Sequence, residues 1–184
     1  SLAALSLMIG QMVMAGFRGL NAADAPTILA DISERQLGSI VYFEYDVPSQ
    51  SAARNVASPA QLKQLTLDLQ AAATVPLLVS IDQEGGMVNR LKEKYGFPAS
   101  VSQQFLGQQD DLALTREYAT ATAKALASAG INLNLAPVVD LNINPDSPAI
   151  GHYERSFGAD PALVTRHALE VIRAHHEQGV LCTL

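Results

Sequence analysis

The stretch Leu77–Gly86, LLVSIDQEGG, passes from an almost unbroken apolar segment into an acidic, glycine-containing turn. An apolar run without alternation reads as a strand buried on both faces, as in a parallel sheet covered by helices. Polarity begins at Asp82, at the C-terminal end of that strand. There a carboxylate can face a pocket while its backbone stays in the sheet. Gly85 and Gly86 then permit backbone conformations closed to other residues, and Arg90 follows. A tightly folded loop lets Asp82 and Arg90 converge on one ligand. An Asp accepts hydrogen bonds from vicinal hydroxyls and an Arg donates to their oxygens, a combination suited to sugars. The same two residues read equally well as an ion pair holding a loop.

Strand and helix signals alternate on both sides of this stretch. Leu5, Met8, Ile9 and Met12 fall at helical spacing, and Val13–Phe17 reads as the first strand. Asp24 is expected to cap a helix carrying Ile28, Leu29 and Ile32. Ser39–Phe43 is the second strand. Ser58-Pro59-Ala60-Gln61 has capping-box spacing with proline at the first helical position, and predicts a helix burying Leu62, Leu65, Leu69 and Ala73. After the Leu77–Ile81 strand, Asp110 or Asp111 opens a helix striped by Leu112, Ala119, Ala123 and Leu126. Ile131–Ala136 is the fourth strand. Asp160-Pro161 opens a helix burying Val164, Ala168, Val171 and Ile172, and Val180–Leu184 is a fifth strand. Gly38, Gly130 and Gly179 each stand between a helix and a strand, the place of a left-handed cap.

A repeated βα unit implies a parallel sheet with helices outside it. Helix-to-strand connections are short, whereas Asp82–Val101 and Pro137–Ala159 are long. Loops of that length are usually functional, and both leave the C-terminal ends of strands, where parallel α/β proteins place their sites. Local pattern leaves two architectures open, an open doubly wound sheet and part of a (β/α)8 barrel. No G-x-G-x-x-G and no P-loop follows any strand, which argues against nucleotide binding. A phosphate-binding barrel would place its anion site after strands seven and eight, which the chain does not reach.

The 184 residues suffice for one domain or part of one, and a hydrophobic fraction of 48% excludes disorder. The net charge of −6 without a Lys/Arg run argues against a nucleic-acid partner. The apolar opening SLAALSLMIGQMVMAGF is broken at Gly10 and Gln11, well short of a membrane span. Cys182 is the one cysteine and offers no metal spacing; it reads as a small core residue. No metal or cofactor is expected.

The second long loop contains NLAPVVDLNINPDSPAIGHYERSFGADP. Arg155 is its cation expected to aim inward. Asp140 either touches ligand or, beside Asn142 and Asn144, braces the loop. His152 and Tyr153 fit a rim or plain surface. Adjacent His175 and His176 cannot share a helix face as metal ligands would, and both are expected to be solvated at a helix end.

These segments carry a resemblance. IGQMVMAGF, LGSIVYF, IDQEGGMVNRL, INLNLAPVVDLN and ERSFGADP, in that order, resemble the N-terminal barrel domain of glycoside hydrolase family 3 from about Leu5 to Leu184. The nearest branch is the bacterial β-N-acetylhexosaminidases, the NagZ-like enzymes of peptidoglycan recycling. The resemblance implies an α/β fold, a truncated (β/α)8 TIM barrel holding roughly the first four βα units plus strand five. All of residues 1–184 then form the N-terminal part of the catalytic barrel domain. It implies that Asp82, Arg90 and Arg155 bind hydroxyls of a terminal sugar, with Asp140 and His152 as further candidates. Two departures stand out: Met87 where the family commonly has Arg, and extra residues in IGHYERSFG.

By the same resemblance the nucleophile is a late Asp. The acid/base is a His on the loop after strand five, beside a K-H-F-P-G-H-G motif. The sequence stops at GVLCTL, where that motif would begin, so the catalytic groups are expected beyond Leu184. Asp82 with Glu84, or Asp82 with Asp140, is not read as a catalytic pair: Asp82 and Glu84 are expected to diverge, and Glu84 to stabilise the loop. The implied activity is exo-acting, retaining, metal-free hydrolysis of β-linked N-acetylglucosamine in peptidoglycan- or chitin-derived sugars. A β-glucosidase or β-xylosidase of the same family, or a non-catalytic carbohydrate-binding domain, are the alternatives. Half a barrel exposes sheet edges and apolar interior, so residues 1–184 alone are expected to self-associate. The compartment stays open, cytoplasmic for a recycled muropeptide and periplasmic or secreted if an export signal precedes.

Overall fold

The computed structural model describes residues 2–184. Five parallel strands, β1 (Met14–Gly16), β2 (Ser39–Tyr42), β3 (Leu78–Ile81), β4 (Leu133–Asn134) and β5 (Leu181–Cys182), form one sheet in the order β1-β2-β3-β4-β5. The helices are α1 (Leu2–Gln11), α2 (Pro26–Ser33), α3 (Pro59–Ala72), α4 (Gln103–Gln109), α5 (Leu112–Ser128) and α6 (Pro161–His176). An open doubly wound sheet reverses its strand order at a switch point, and no reversal occurs here. Successive crossovers instead lay the helices side by side: α2 packs on α3, α3 on α5, and α5 on α6. This is the order in which a (β/α)8 barrel builds its wall, and it resolves the choice between the two architectures.

Ser58 caps α3: its side chain accepts from the Gln61 amide, while the Gln61 side chain reaches back, completing the box. Losing such a cap costs about 1 kcal/mol. Leu62, Leu65 and Leu69 from α3 are buried with Ile40, Tyr42, Val79 and Ile81 of the sheet and Leu126 of α5. Burying each Leu contributes roughly 1.5–3 kcal/mol. Asp111 and Asp160 cap α5 and α6, each accepting two backbone amides.

Several expectations are corrected. Asp24 does not cap α2; it lies in a short 3-10 turn capped by Asn21, and α2 opens on Pro26 without a side-chain cap. Gly130 and Gly179 do adopt left-handed conformations, but Gly38 does not; Gln36 takes that role with φ 57°. Gly38 is needed for close approach instead, since a Cβ there would lie 2.3 Å from the Gln11 carbonyl oxygen. The expected Ile131–Ala136 strand shrinks to two residues. The Asn132 side chain accepts from the Val79 amide and donates to the Leu77 carbonyl, beside the backbone bond from the Asn132 amide to the Val79 carbonyl. α1 forms as expected, yet Met8 is 64% and Met12 87% exposed, so its apolar residues do not join the core. Cys182 is half-buried rather than a core residue, and burial pushes its thiol up to about 11.

Candidate functional site

β3 ends at Ile81, and the next three residues alternate as an extended strand would. Gln83 is buried, while Asp82 and Glu84 both face one pocket of about 280 Å³ lined also by Val88, Arg90, Ala149, Tyr153 and Arg155. The expected divergence of Asp82 and Glu84 is therefore wrong, because residues two apart in extended backbone return to the same side. Beyond Glu84 the chain turns sharply. The Glu84 and Gly85 amides both donate to the Val88 carbonyl, and the Val88 amide donates back to Gly85. Gly85 has φ 98° and Gly86 φ 56°, and a Cβ on Gly85 would lie 2.2 Å from the Val101 carbonyl oxygen. Both the left-handed backbone and the close approach require glycine.

This turn brings Arg90 to Asp82, with Nη2 3.5 Å from Oδ2. The contact is long, and both side chains are about a quarter exposed, which leaves hydrogen-bonding capacity for a ligand. The Arg90 guanidinium carbon stands 5.8 Å from the Phe43 ring centroid, and Arg54 covers the same ring at 4.7 Å. The Arg90 Nε is buried without a partner.

Arg155 enters from the other long loop. Its Nε and Nη2 donate to the two Glu84 carboxylate oxygens, each at 2.8 Å, and Nη1 donates to the Ala149 carbonyl at 3.1 Å. The Glu84 side chain is 4% exposed, so this carboxylate is occupied and sequestered. The Glu84 hydrogen bonds hold the Arg155 guanidinium above its usual range, and Asp140 and Asp82 raise it further. Three of the five Arg155 N–H groups are used, leaving two for a ligand. Buried Gln103 anchors the backbone, donating to the Val138 and Arg155 carbonyls and accepting from the Val138 amide.

The structure thus places Asp82, Arg90 and Arg155 on one pocket. The Asp140 carbonyl accepts from Ser156 Oγ at 2.6 Å, bracing the loop, and its exposed side chain influences Arg155 by charge alone. His152 is exposed and does not line the pocket, whereas Tyr153 does. His175 corrects the expectation of a solvated pair: it is buried, while His176 is exposed. Phe43, Gln83, Gln103 and His175 carried no local signal of a role. Among the described residues, no group of three or more His, Cys, Asp and Glu side chains is placed to hold a metal ion. None of the described helices is long and apolar enough to cross a membrane.

A sequentially wound parallel sheet with a charged pocket at its C-terminal ends defines the chain as part of the (β/α)-barrel class. It belongs to the glycosyl hydrolase family 3, whose N-terminal domain matches residues 4–184. The beta-hexosaminidase A of Pseudoalteromonas piscicida is 35% identical across 97% of this chain and 32% of its own length. The beta-hexosaminidase of Xanthomonas euvesicatoria is 38% identical across 71% of this chain and 39% of its own. The family 3 beta-N-acetylglucosaminidase of Paenibacillus sp. FPU-7 superposes with a TM-score of 0.86 at 41% identity, covering 97% of this chain and 32% of that one. NagZ from Neisseria gonorrhoeae, in complex with N-trifluoroacetyl-D-glucosamine, superposes at 0.78 with 28% identity over 92% of this chain and 48% of its own. The chain therefore spans about a third of the length of the curated relatives it matches.

Proposed function

We propose that residues 1–184 form the sugar-facing wall of a glycoside hydrolase that removes terminal β-linked N-acetylglucosamine, exo-acting and with retention. The observation that carries this reading is the convergence of Asp82, Arg90 and Arg155 on one pocket at the C-terminal end of β3. Asp82 accepts from sugar hydroxyls, while Arg90 and the unspent N–H groups of Arg155 donate to their oxygens. Glu84 holds Arg155 and Asp140 braces the loop. In this reading the nucleophile and acid/base belong to other parts of the full-length protein. The preference for N-acetylglucosamine is supported by the relatives, which carry the names beta-hexosaminidase and beta-N-acetylglucosaminidase. The carbohydrate would come from peptidoglycan or chitin.

The test is hydrolysis of chromogenic β-N-acetylglucosaminide and β-glucoside, side by side, by the full-length protein. Faster release from the N-acetylglucosaminide is expected. Preferential turnover of the glucoside would overturn the sugar assignment, and turnover of neither would overturn the activity.

A further inference from the structure

His175, in the last turn of α6, stands behind the pocket and is 1% exposed. Its hydrogen bonds are fixed by backbone groups whose roles cannot change. Nδ1 lies 2.8 Å from the Val171 carbonyl oxygen, which only accepts, so Nδ1 carries the proton. Nε2 lies 3.0 Å from Asn134 Nδ2. The Asn134 amide is itself oriented by Gln83: Oδ1 accepts from the Gln83 amide at 3.0 Å, and Nδ2 donates to the Gln83 carbonyl at 3.1 Å. One Nδ2 hydrogen goes to Gln83 and the other to His175, which makes Nε2 an obligatory acceptor.

Gln83 passes the constraint on. Its Oε1 accepts from the Arg90 and Leu91 amides, both at 3.0 Å, and its Nε2 donates to Asn89 Oδ1 at 2.8 Å. One buried side chain thereby ties the start of the Asp82–Arg90 loop to its end. We propose that His175 is a positioning residue, which through its Nε2 acceptor, Asn134 and Gln83 holds Asp82 and Arg90 in sugar-binding register. It touches no substrate, and this role rests on the proposed sugar-binding function.

The arrangement also makes the loop acid-sensitive. Protonating Nε2 sets N–H against N–H across 3.0 Å, and Asn134 can relieve this only by releasing Gln83. Burial, and secondarily the charge of His176, lower His175 from its ordinary 6.5, whereas its bond to Val171 opposes them. Glu84 and Tyr118 share a cavity of about 40 Å³ with the ring; Glu84 is committed to Arg155. The acceptor is intact above pH 6.5 and is lost as pH falls through the lowered folded value.

The test uses the full-length protein with His175→Gln, whose Oε1 can accept from Asn134 and does not titrate, and His175→Leu, which has no acceptor. Two readouts are taken across pH 4.5–7.5, roughly spanning the ordinary histidine range: KM for chromogenic β-N-acetylglucosaminide, and hydrogen exchange at the Arg90 and Leu91 amides. At neutral pH His175→Leu is expected to raise KM about tenfold, with faster exchange at both amides, and His175→Gln to match wild type. As pH falls through the lowered folded value of His175, wild-type KM and exchange rise relative to His175→Gln. If wild type and His175→Gln share one acid limb and one exchange profile, the proposal is overturned. Should wild type hydrolyse neither sugar, the functional reading falls while exchange at Arg90 and Leu91 still decides the role of His175. If His175→Leu does not fold, the comparison of wild type with His175→Gln decides it.

Discussion

Glu84 and Arg155 form a two-point ion pair, Nε to Oε2 and Nη2 to Oε1 at 2.8 Å each, between loops 71 residues apart in sequence. The pair joins the loop after β3 to the loop after β4, and it aims a cation at the pocket that Asp82 and Arg90 line. A planar fork meeting a carboxylate at two points fixes orientation as well as distance. The guanidinium is thus ordered before any ligand arrives, which lowers the cost of binding.

Lysine cannot reproduce that fork. Arg155→Lys in the full-length protein is expected to weaken N-acetylglucosamine binding about tenfold, as loss of a charged hydrogen bond would, with unchanged fold by circular dichroism. Calorimetric titration checks it. Unchanged affinity would remove Arg155 from the sugar site.

Gly85 and Gly179 separate backbone strain from steric exclusion. Both have left-handed φ, 98° and 73°, but a Cβ at Gly85 meets the Val101 carbonyl oxygen whereas one at Gly179 meets nothing within 4 Å. Gly179→Ala is expected to cost about 1 kcal/mol, and Gly85→Ala about 3 kcal/mol or more, since Val101 must also move. Urea unfolding of the full-length protein reads the difference; equal losses would contradict the stated packing.

Asp46 links the loops after β1 and β2. Its bond from Arg18, followed by that from Ser49, pulls its carboxyl from 3.8 down to about 2. A folded value below the unfolded one means the contribution is fully present above pH 3.8 and lost as pH falls through about 2. Melting temperature against pH is expected to fall less steeply in Asp46→Asn than in wild type across that window. Parallel curves would show that the carboxylate is uncoupled from folding.

Leu5, Met8, Ile9 and Met12 expose more than half of their surface along and just after α1. Produced alone, residues 1–184 are expected to self-associate at micromolar concentration through this face and the sheet edges. Sedimentation velocity checks it, and a stable monomer would contradict the expectation.

Much of the architecture was legible because each element announces itself locally. The run Leu77–Ile81 was too apolar for a one-faced strand, and Ser58, Asp111 and Asp160 each cap a helix directly. α4 was missed because its Gln-rich sequence, QQFLGQQ, carries no apolar stripe. β4 was overestimated because its regular pairing is confined to Leu133 and Asn134, a limit that leaves no trace in periodicity. At the site, Asp82 and Arg90 were visible as neighbours on one loop. The role of Glu84 depends on Arg155, and that of His175 on Asn134, 71 and 41 residues away. Such pairings are made by the fold, and a solvated histidine and a buried one look alike in a sequence.

The most direct test of the account is steady-state kinetics of full-length Glu84→Gln on chromogenic β-N-acetylglucosaminide. As an Arg155-holding residue, Glu84 is expected to affect mainly KM, with kcat kept within about tenfold. A loss of kcat of about 10⁴-fold with KM unchanged would mark Glu84 as a catalytic carboxylate and contradict the assignment of this wall to binding.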